Sequence, residues 1–194
     1  MTQIIFMRHG FLEGKYQDYS KLSFEELQDL LTKKALPNID NKKTNLVLKE
    51  KNIQNIDIIF CSEEPRAIDT AKIASKILKA KYEKTQLLDE INFQKRIINK
   101  EDVELGFNHI RKKVITQFFH SNYSEKFEDI KRRFLNILEE IKKSNYNKVL
   151  CITHGWFMRL IYVYSAKKSL ENISLDDLLN SHVPNFLESI TIDY

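Results

Sequence analysis

Residues 4–10, IIFMRHG, run four apolar residues directly into Arg8, His9 and Gly10. A short run that is apolar on both faces is typical of a strand inside a parallel sheet covered by helices. The carboxyl ends of such strands are where the active sites of open α/β proteins collect. The stretch therefore predicts a buried first strand that delivers an arginine and a histidine to this edge.

The rest of the chain alternates between strand and helix patterns. Further strands are predicted at about 56–60, 85–88, 148–152 and 187–192. Apolar residues at helical spacing predict helices over 64–78, 125–143 and 156–164, and another within 100–119. Capping boxes open two more, at Ser23 with Glu26 and at Ser174 with Asp177. This alternation predicts an α/β fold, a three-layer α/β/α sandwich with a mostly parallel sheet whose last strand is an antiparallel member.

Length and composition favour one soluble domain. The 194 residues predict a single domain over 1–194, with candidate cap or insert segments at about 11–55 and 92–124. The net charge of +4 is too small and too evenly spread to indicate a nucleic-acid partner. No apolar run approaches the length of a membrane span, and no secretory leader is visible. With two cysteines that fit buried free thiols, these features predict a cytoplasmic protein.

Three predicted strands end in residues suited to binding an anion. The first ends at Arg8 and His9, the second in FCSEEPRAIDTA (60–71), which places Arg66 in the first turn of a helix, and the fourth in CITHGWF (151–157), which contains His154. The carboxyl ends of parallel strands share one edge, so the four side chains can converge. We expect the helix that begins after Gly155 to point backbone N–H groups at the same place.

This set of side chains is suited to phosphate chemistry. Arginine forks match phosphate oxygens in bidentate fashion and stay charged. A neutral histidine nitrogen in line with phosphorus can itself be the nucleophile. Phosphoryl transfer depends mainly on positioning and charge neutralisation.

The motifs MRHG (7–10), CSEEPRAIDTA (61–71) and THGWFMR (153–159) resemble those of the histidine phosphatase superfamily, the phosphoglycerate mutase-like proteins, in order and spacing across nearly the whole chain. The resemblance implies that His9 is the nucleophile and forms a phosphohistidine. It implies that Arg8, Arg66 and His154 hold the phosphoryl oxygens, with the backbone at Gly155 beside them. Glu90, in LLDEINF (87–93), would protonate the leaving oxygen and then activate water. No metal and no cofactor are implied.

The chain departs from the family pattern at two places. Phe11–Leu12–Glu13–Gly14 replaces the Thr or Ser and Asn that many members carry after Arg-His-Gly. The glycines that commonly follow the acid are missing, since INFQKRI (91–97) stands there. Asp89, Glu101 and Asp102 are therefore alternative proton donors.

Several functions remain open at this stage. The leading hypothesis is a metal-independent phosphomonoesterase acting on a small phosphorylated metabolite, with a phosphoprotein as the second substrate class. A catalytically weak phospho-ligand-binding module is the alternative from another class. A phosphomutase is a third, against which the absent substrate motifs count. The oligomeric state is not indicated by the sequence.

Individual residues around these motifs have simpler interpretations. Ser62 fits a hydrogen-bond donor near the site as well as a helix N-cap. Arg159, one turn into its helix, is interpreted as structural. Lys15, Lys95 and Arg96 are candidates for a second anionic group, although solvated surface lysines and arginines are the commoner case.

Overall fold

A computed structural model of the chain describes residues 2–93, 97–121 and 125–194. Its sheet has five strands: β1 Gln3–Arg8, β2 Ile58–Cys61, β3 Lys81–Lys84, β4 Lys148–Thr153 and β5 Ser189–Asp193. Its α-helices are α1 Phe24–Leu31, α2 Asn41–Glu50, α3 Pro65–Leu78, α4 Lys100–Glu104, α5 Phe107–Phe119, α6 Phe127–Lys143, α7 Gly155–Lys167 and α8 Leu175–Leu179. Short 3-10 turns cover Gly14–Gln17, Tyr19–Lys21 and Gln86–Leu88.

The sheet follows the order β3-β2-β4-β1-β5. Its first four members are parallel, and β5 pairs antiparallel with β1, as the sequence predicts. Alternate residues of β1 face two hydrophobic cores, because successive side chains of a strand point to opposite faces. Ile4 and Phe6 pack with α6 and α7, whereas Ile5 and Met7 pack with α3. The α/β/α layering is therefore confirmed.

The predicted third strand, at about 85–88, is wrong: the strand lies directly before it, at Lys81–Lys84. Residues 81–84 pair with β2, whereas Gln86–Leu88, inside the predicted strand, form a 3-10 turn. The side chain of Thr85 begins this turn by accepting a hydrogen bond from the Leu87 N–H. The true strand is an edge strand with mostly exposed polar side chains, so it lacks the apolar pattern of a buried strand.

The helices predicted at 64–78 and 156–164 are present as α3 and α7, and two other helical segments differ from the prediction. Both capping boxes form, and the long amphipathic helix α6 lies where its pattern predicts it. The predicted helix within 100–119 is two helices, separated at Gly106, whose φ of +88° interrupts a helical backbone. Helix α2 has no counterpart in the predicted set, since only Thr44 and Leu48 of its ten residues are buried. Among the described residues, no helix combines the length and apolar character needed to cross a membrane.

Candidate active site

The centre of the sheet places His9 and His154 side by side. Strands β1 and β4 are neighbours, with Arg8 in register with Thr153, so each histidine follows its strand directly. The His9 N–H donates to the Thr153 carbonyl at 2.9 Å, which extends the pairing by one residue. The two imidazole rings lie 5.2 Å apart between centroids. Because Arg8 and Arg66 line the same cavity as His9, the structure brings all four side chains together.

The surroundings of His9 hold it neutral. Its side chain is buried, and Nδ1 lies 2.9 Å from the Gly10 carbonyl. A carbonyl oxygen only accepts, so Nδ1 carries the proton and Nε2 keeps a free lone pair. Burial, followed by the charges of Arg66 and the other cations of the site, holds the pKa of His9 well below its ordinary value. The ring is thus a neutral imidazole with an available nitrogen.

Gly10 is required by the close approach of α2. A Cβ atom there would lie 2.5 Å from Thr44 Oγ1 and 2.6 Å from Thr44 Cγ2, well inside contact distance. The Gly10 N–H donates to Thr70 Oγ1 at 2.8 Å, and the Phe11 N–H donates to Thr44 Oγ1 at 3.1 Å. The loop after β1 is therefore fixed from both α2 and α3.

Arg8 reaches across the mouth of the site. Its guanidinium donates to the Pro184 carbonyl at 2.8 Å and to the Tyr19 hydroxyl at 2.9 Å, and stacks 4.2 Å from the centroid of the Phe186 ring. It also packs against Gly155, where an added Cβ would lie 3.4 Å from Arg8 Cζ. These contacts come from three separate segments, so they fix a long side chain that would otherwise be mobile.

His154 is oriented by a chain of hydrogen bonds. Arg66 Nε donates to His154 Nδ1 at 3.1 Å, which leaves the proton on Nε2. Nε2 lies 2.8 Å from Ser62 Oγ, and that hydroxyl donates to Asp89 Oδ1 at 2.6 Å. Burial and the Arg66 charge hold the pKa of His154 well below its ordinary value. Ser62 is therefore a hydrogen-bonding residue of the site. It is not the N-cap of α3, because Glu64 occupies that position.

Glu90 occupies the helix terminus that the sequence suggested for phosphate. Its Oε2 accepts from the Trp156 N–H at 3.1 Å and its Oε1 from the Phe157 N–H at 3.0 Å. The first turn of α7 thus binds a carboxylate of the protein itself, as helix N-termini favour. Burial, followed by the neighbouring charge of Glu64, raises the pKa of Glu90. A raised pKa is the property that a carboxylic acid needs to donate a proton near neutral pH.

Glu64 is a site residue that the sequence analysis missed. It is buried, with Oε2 2.6 Å from Arg66 Nη2 and Oε1 2.8 Å from Lys33 Nζ. The Glu90 N–H also donates to Glu64 Oε1 at 3.3 Å. An acidic residue at a helix start is ordinary, because it complements the helix dipole. The available signal was its spacing, since Glu64 lies two residues before Arg66 in the second motif.

A cavity of about 130 Å³ opens beside these groups. Arg8, His9, Arg66 and Glu90 line one part of it. Apolar side chains of α1 and α5 and the aromatic rings of Phe93 and Trp156 line most of the rest. The segments predicted as caps therefore contribute walls through Leu27, Leu30, Phe107 and Ile110.

The histidine phosphatase superfamily model, branch 1, matches residues 4–183. The chain belongs to the histidine phosphatase superfamily. Membership supports phosphatase activity and confirms the resemblance on which the sequence analysis relies. The matched span contains all three motifs.

Individual relatives of this histidine phosphatase agree with the assignment. A Hydrogenobacter thermophilus protein, provisionally named phosphoserine phosphatase 2, is 26% identical over 153 residues, which cover 74% of this chain and 70% of that protein. YhfR of Bacillus stearothermophilus shares 18% identity with a TM-score of 0.66, covering all of this chain and 91% of its own. A mycobacterial glucosyl-3-phosphoglycerate phosphatase with inorganic phosphate shares 11% identity with a TM-score of 0.68, over all of this chain and 90% of its own. The two structural likenesses confirm the phosphoglycerate mutase-like fold.

The alternative proton donors of this histidine phosphatase lie in different surroundings. Asp102 pairs with His109 at 2.9 Å and with Lys113 at 2.6 Å, and does not line the cavity. Glu101 is exposed on α4. Asp89 is tied to Ser62 and to the Glu63 N–H, so Glu90 is the acid that faces the cavity beside His9.

Of the basic residues that the sequence offered for binding a second anion, the structure describes Lys15 alone. Lys15 is half-exposed and pairs with Glu26. Lys95 and Arg96 lie outside the described residues. Arg159, interpreted from the sequence as structural, is buried and lines the cavity.

Proposed function

We propose that this protein is a metal-independent phosphomonoesterase that works through a phosphohistidine at His9. One observation carries the proposal: the neutral His9 ring, with its free Nε2, shares one cavity with Arg8 and Arg66. A lone pair beside two fixed guanidinium groups matches what in-line attack on a phosphoryl group requires.

The first step forms a bond between Nε2 and phosphorus while the bond from phosphorus to the ester oxygen breaks. Arg8 and Arg66 neutralise the phosphoryl oxygens, with His154 held beside them by Arg66 and Ser62. The raised pKa of Glu90 keeps a proton available, and Glu90 gives it to the departing oxygen.

The second step hydrolyses the phosphohistidine. The Glu90 carboxylate takes a proton from water as the water oxygen attacks phosphorus, and the electron pair of the N–P bond returns to Nε2. Inorganic phosphate leaves, and Glu90 is again protonated for the next cycle.

The substrate in this proposal is a small phosphorylated metabolite. The cavity of about 130 Å³ has charged residues along one part and apolar side chains along most of the rest, which suits a phosphate that carries a small leaving group. A phosphoprotein remains the less favoured class, and phosphate transfer within one substrate, as in a mutase, is less favoured still.

One contact favours a second candidate function, a phospho-ligand-binding module with weak catalysis. Glu64 already pairs with Arg66, so an incoming phosphate competes with a carboxylate of the protein. Such a module would bind phosphate analogues without turning over any ester.

Phosphate release from a broad phosphomonoester panel, measured in the presence of a chelator, tests the proposal. We expect release by the wild-type protein, none by His9→Ala, and full activity in His120→Ala, whose histidine is exposed at the end of α5. Quenching the reaction in alkali and assaying for protein-bound phosphate would detect the intermediate. Tight vanadate binding without release from any ester would contradict the phosphatase and favour the binding module.

A further inference from the structure

Two arginines outside the phosphate-binding group lie close together in the same cavity. Arg159 of α7 is only 2% exposed, and Arg111 of α5 is half-buried. Arg159 Nη1 donates to the Leu178 carbonyl at 3.3 Å and to Ser181 Oγ at 3.1 Å. Arg111 Nη1 lies 3.5 Å from the Leu179 carbonyl. Because their acceptors belong to neighbouring residues, the two guanidinium groups meet at the end of α8.

The hydrogen-bond acceptors of both guanidinium groups are neutral in the part of the chain that the structure describes. Neither Arg111 nor Arg159 forms an ion pair with a carboxylate there, and Arg111 Nε is buried without a hydrogen bond. Burying a charge beside neutral groups is costly, and a second cation adds repulsion. Burial and the Arg111 charge lower the pKa of Arg159 to about 10, while the charge of Glu90 acts in the opposite direction. An anion in the cavity would relieve this cost.

The arginine pair lies beside Trp156, the residue whose N–H binds Glu90. Arg159 Cζ is 5.5 Å from the centroid of the Trp156 ring, and the Trp156 N–H donates to Glu90 Oε2. In the proposed function Glu90 protonates the leaving oxygen, so the leaving group must extend past this acid. Phe107 and Ile110, from the helix that carries Arg111, form apolar walls of the same cavity.

We propose that Arg111 and Arg159 bind a carboxylate on the leaving group, so that the substrate class is a small phosphomonoester of a hydroxy acid. A planar carboxylate matches the guanidinium fork. Two forks also offer more donors than the carbonyl groups of Leu178, Leu179 and Ser181 require. The inference rests on the proposed function for the direction of the leaving group.

Binding of non-hydrolysable phosphonates separates this inference from catalysis. The three ligands are 3-phosphonopropionate, which carries a carboxylate, propylphosphonate, which carries a methyl group, and 3-aminopropylphosphonate, which carries an ammonium group. Titration calorimetry of the wild-type protein should show 3-phosphonopropionate binding at least about tenfold tighter than propylphosphonate, with the ammonium ligand weakest. Equal affinities for the carboxylate and methyl ligands would overturn the inference, whether or not any ester is hydrolysed.

Variants of the two arginines locate the preference. Arg111→Met and Arg159→Met should each bring the affinity for 3-phosphonopropionate towards that for propylphosphonate, and Arg111→Lys should retain part of the difference. Arg132→Met is the matched control, since that side chain is 67% exposed on α6. Should Arg159→Met fail to fold because it loses its bonds to Ser181, Arg111→Met and the wild-type comparison still decide. If the variants lower the affinity for all three ligands equally, the arginines only stabilise the end of α8, and the proposed carboxylate subsite is contradicted.

The phosphate-ester counterparts of these ligands test the proposed function separately. Phosphoglycolate and ethyl phosphate, assayed for phosphate release, should both be hydrolysed, with a higher kcat/KM for phosphoglycolate. Hydrolysis of both at equal kcat/KM would leave the phosphatase intact and overturn the carboxylate subsite. Selective binding of 3-phosphonopropionate with no hydrolysis would support the subsite and contradict the phosphatase.

Discussion

Glu90 has the surroundings of a carboxylic acid that donates a proton. Burial and the Glu64 charge raise its pKa, so the protonated form persists to higher pH than for an exposed glutamate. Glu90→Gln should therefore lower kcat for alkyl phosphates by about 10² to 10⁴, the usual contribution of a general acid. Esters with an activated aryl leaving group should lose less in the phosphorylation step, because their leaving oxygen departs without a proton.

The dependence of kcat/KM on pH gives an independent test of Glu90 as the proton donor. For alkyl esters, kcat/KM should fall as pH rises through the raised pKa of Glu90, because the proton is lost, and Glu90→Gln should lack this limb. Glu101→Gln, at the exposed alternative donor, serves as the control and should keep the wild-type profile. If Glu101→Gln removes the limb instead, the acid is misassigned.

In the proposed function, Glu64 would compete with the phosphate for Arg66, because the two residues form an ion pair. Its Oε2 lies 2.6 Å from Arg66 Nη2, where a phosphoryl oxygen would bind. Glu64→Gln removes this negative charge and also frees Lys33 from its ion pair. Inorganic phosphate should then inhibit about tenfold more strongly, because one charge-assisted hydrogen bond changes an affinity by about that factor. The inhibition constant for phosphate measures the effect. Glu63→Gln, the exposed neighbour, should leave that constant unchanged, and an unchanged constant in Glu64→Gln would show that Glu64 does not compete.

At the level of elements, the loop after β1 depends on how closely α2 approaches it. Gly10→Ala would place a methyl group 2.5 Å from Thr44 Oγ1, so α2 must shift, at a cost of about 1–3 kcal/mol in the free energy of unfolding. Urea denaturation measures this cost. Thr44→Ala removes the two shortest contacts and leaves Thr44 Cβ at 3.1 Å from the added methyl group, so Gly10→Ala should cost less in the Thr44→Ala background than in the wild-type protein. Strictly additive costs would show that the clash is relieved elsewhere.

The elements that the sequence predicts well are those whose pattern is local. β1 and β4 are apolar on both faces, so they could be identified and their ends gave Arg8, His9 and His154. β3 is polar and becomes a strand only by pairing with β2, and α2 is held by two buried residues. Glu64 and the Arg111–Arg159 pair depend on contacts between distant segments, which no local pattern contains. The sequence therefore predicted the side chains that gather at the strand ends better than it predicted the other walls of the cavity.

For the whole molecule, the buried neutral histidines link stability to pH. The pKa of His9 lies well below its ordinary value in the folded protein, while the unfolded chain titrates near 6.5. Below that pH the unfolded state binds a proton that the folded state refuses, so this contribution to stability is complete above pH 6.5 and is lost as pH falls. The loss is at most about 1.4 kcal/mol per pH unit for each such histidine. The raised pKa values of Glu90 and Asp89 act in the opposite direction at lower pH, because the folded state holds their protons more firmly.

A comparison with His9→Asn isolates the histidine from these acids. The asparagine amide can donate to the Gly10 carbonyl as Nδ1 does, but it does not titrate. Free energies of unfolding from urea denaturation at pH 7.5 and pH 5.5 should fall more for the wild-type protein than for His9→Asn. The difference should vanish in a comparison of wild type with His120→Asn, because that histidine is exposed. An identical fall in His9→Asn would mean that folding does not lower the pKa of His9, so that at pH 5.5 the folded ring would be protonated and could not supply the lone pair that the proposed mechanism requires.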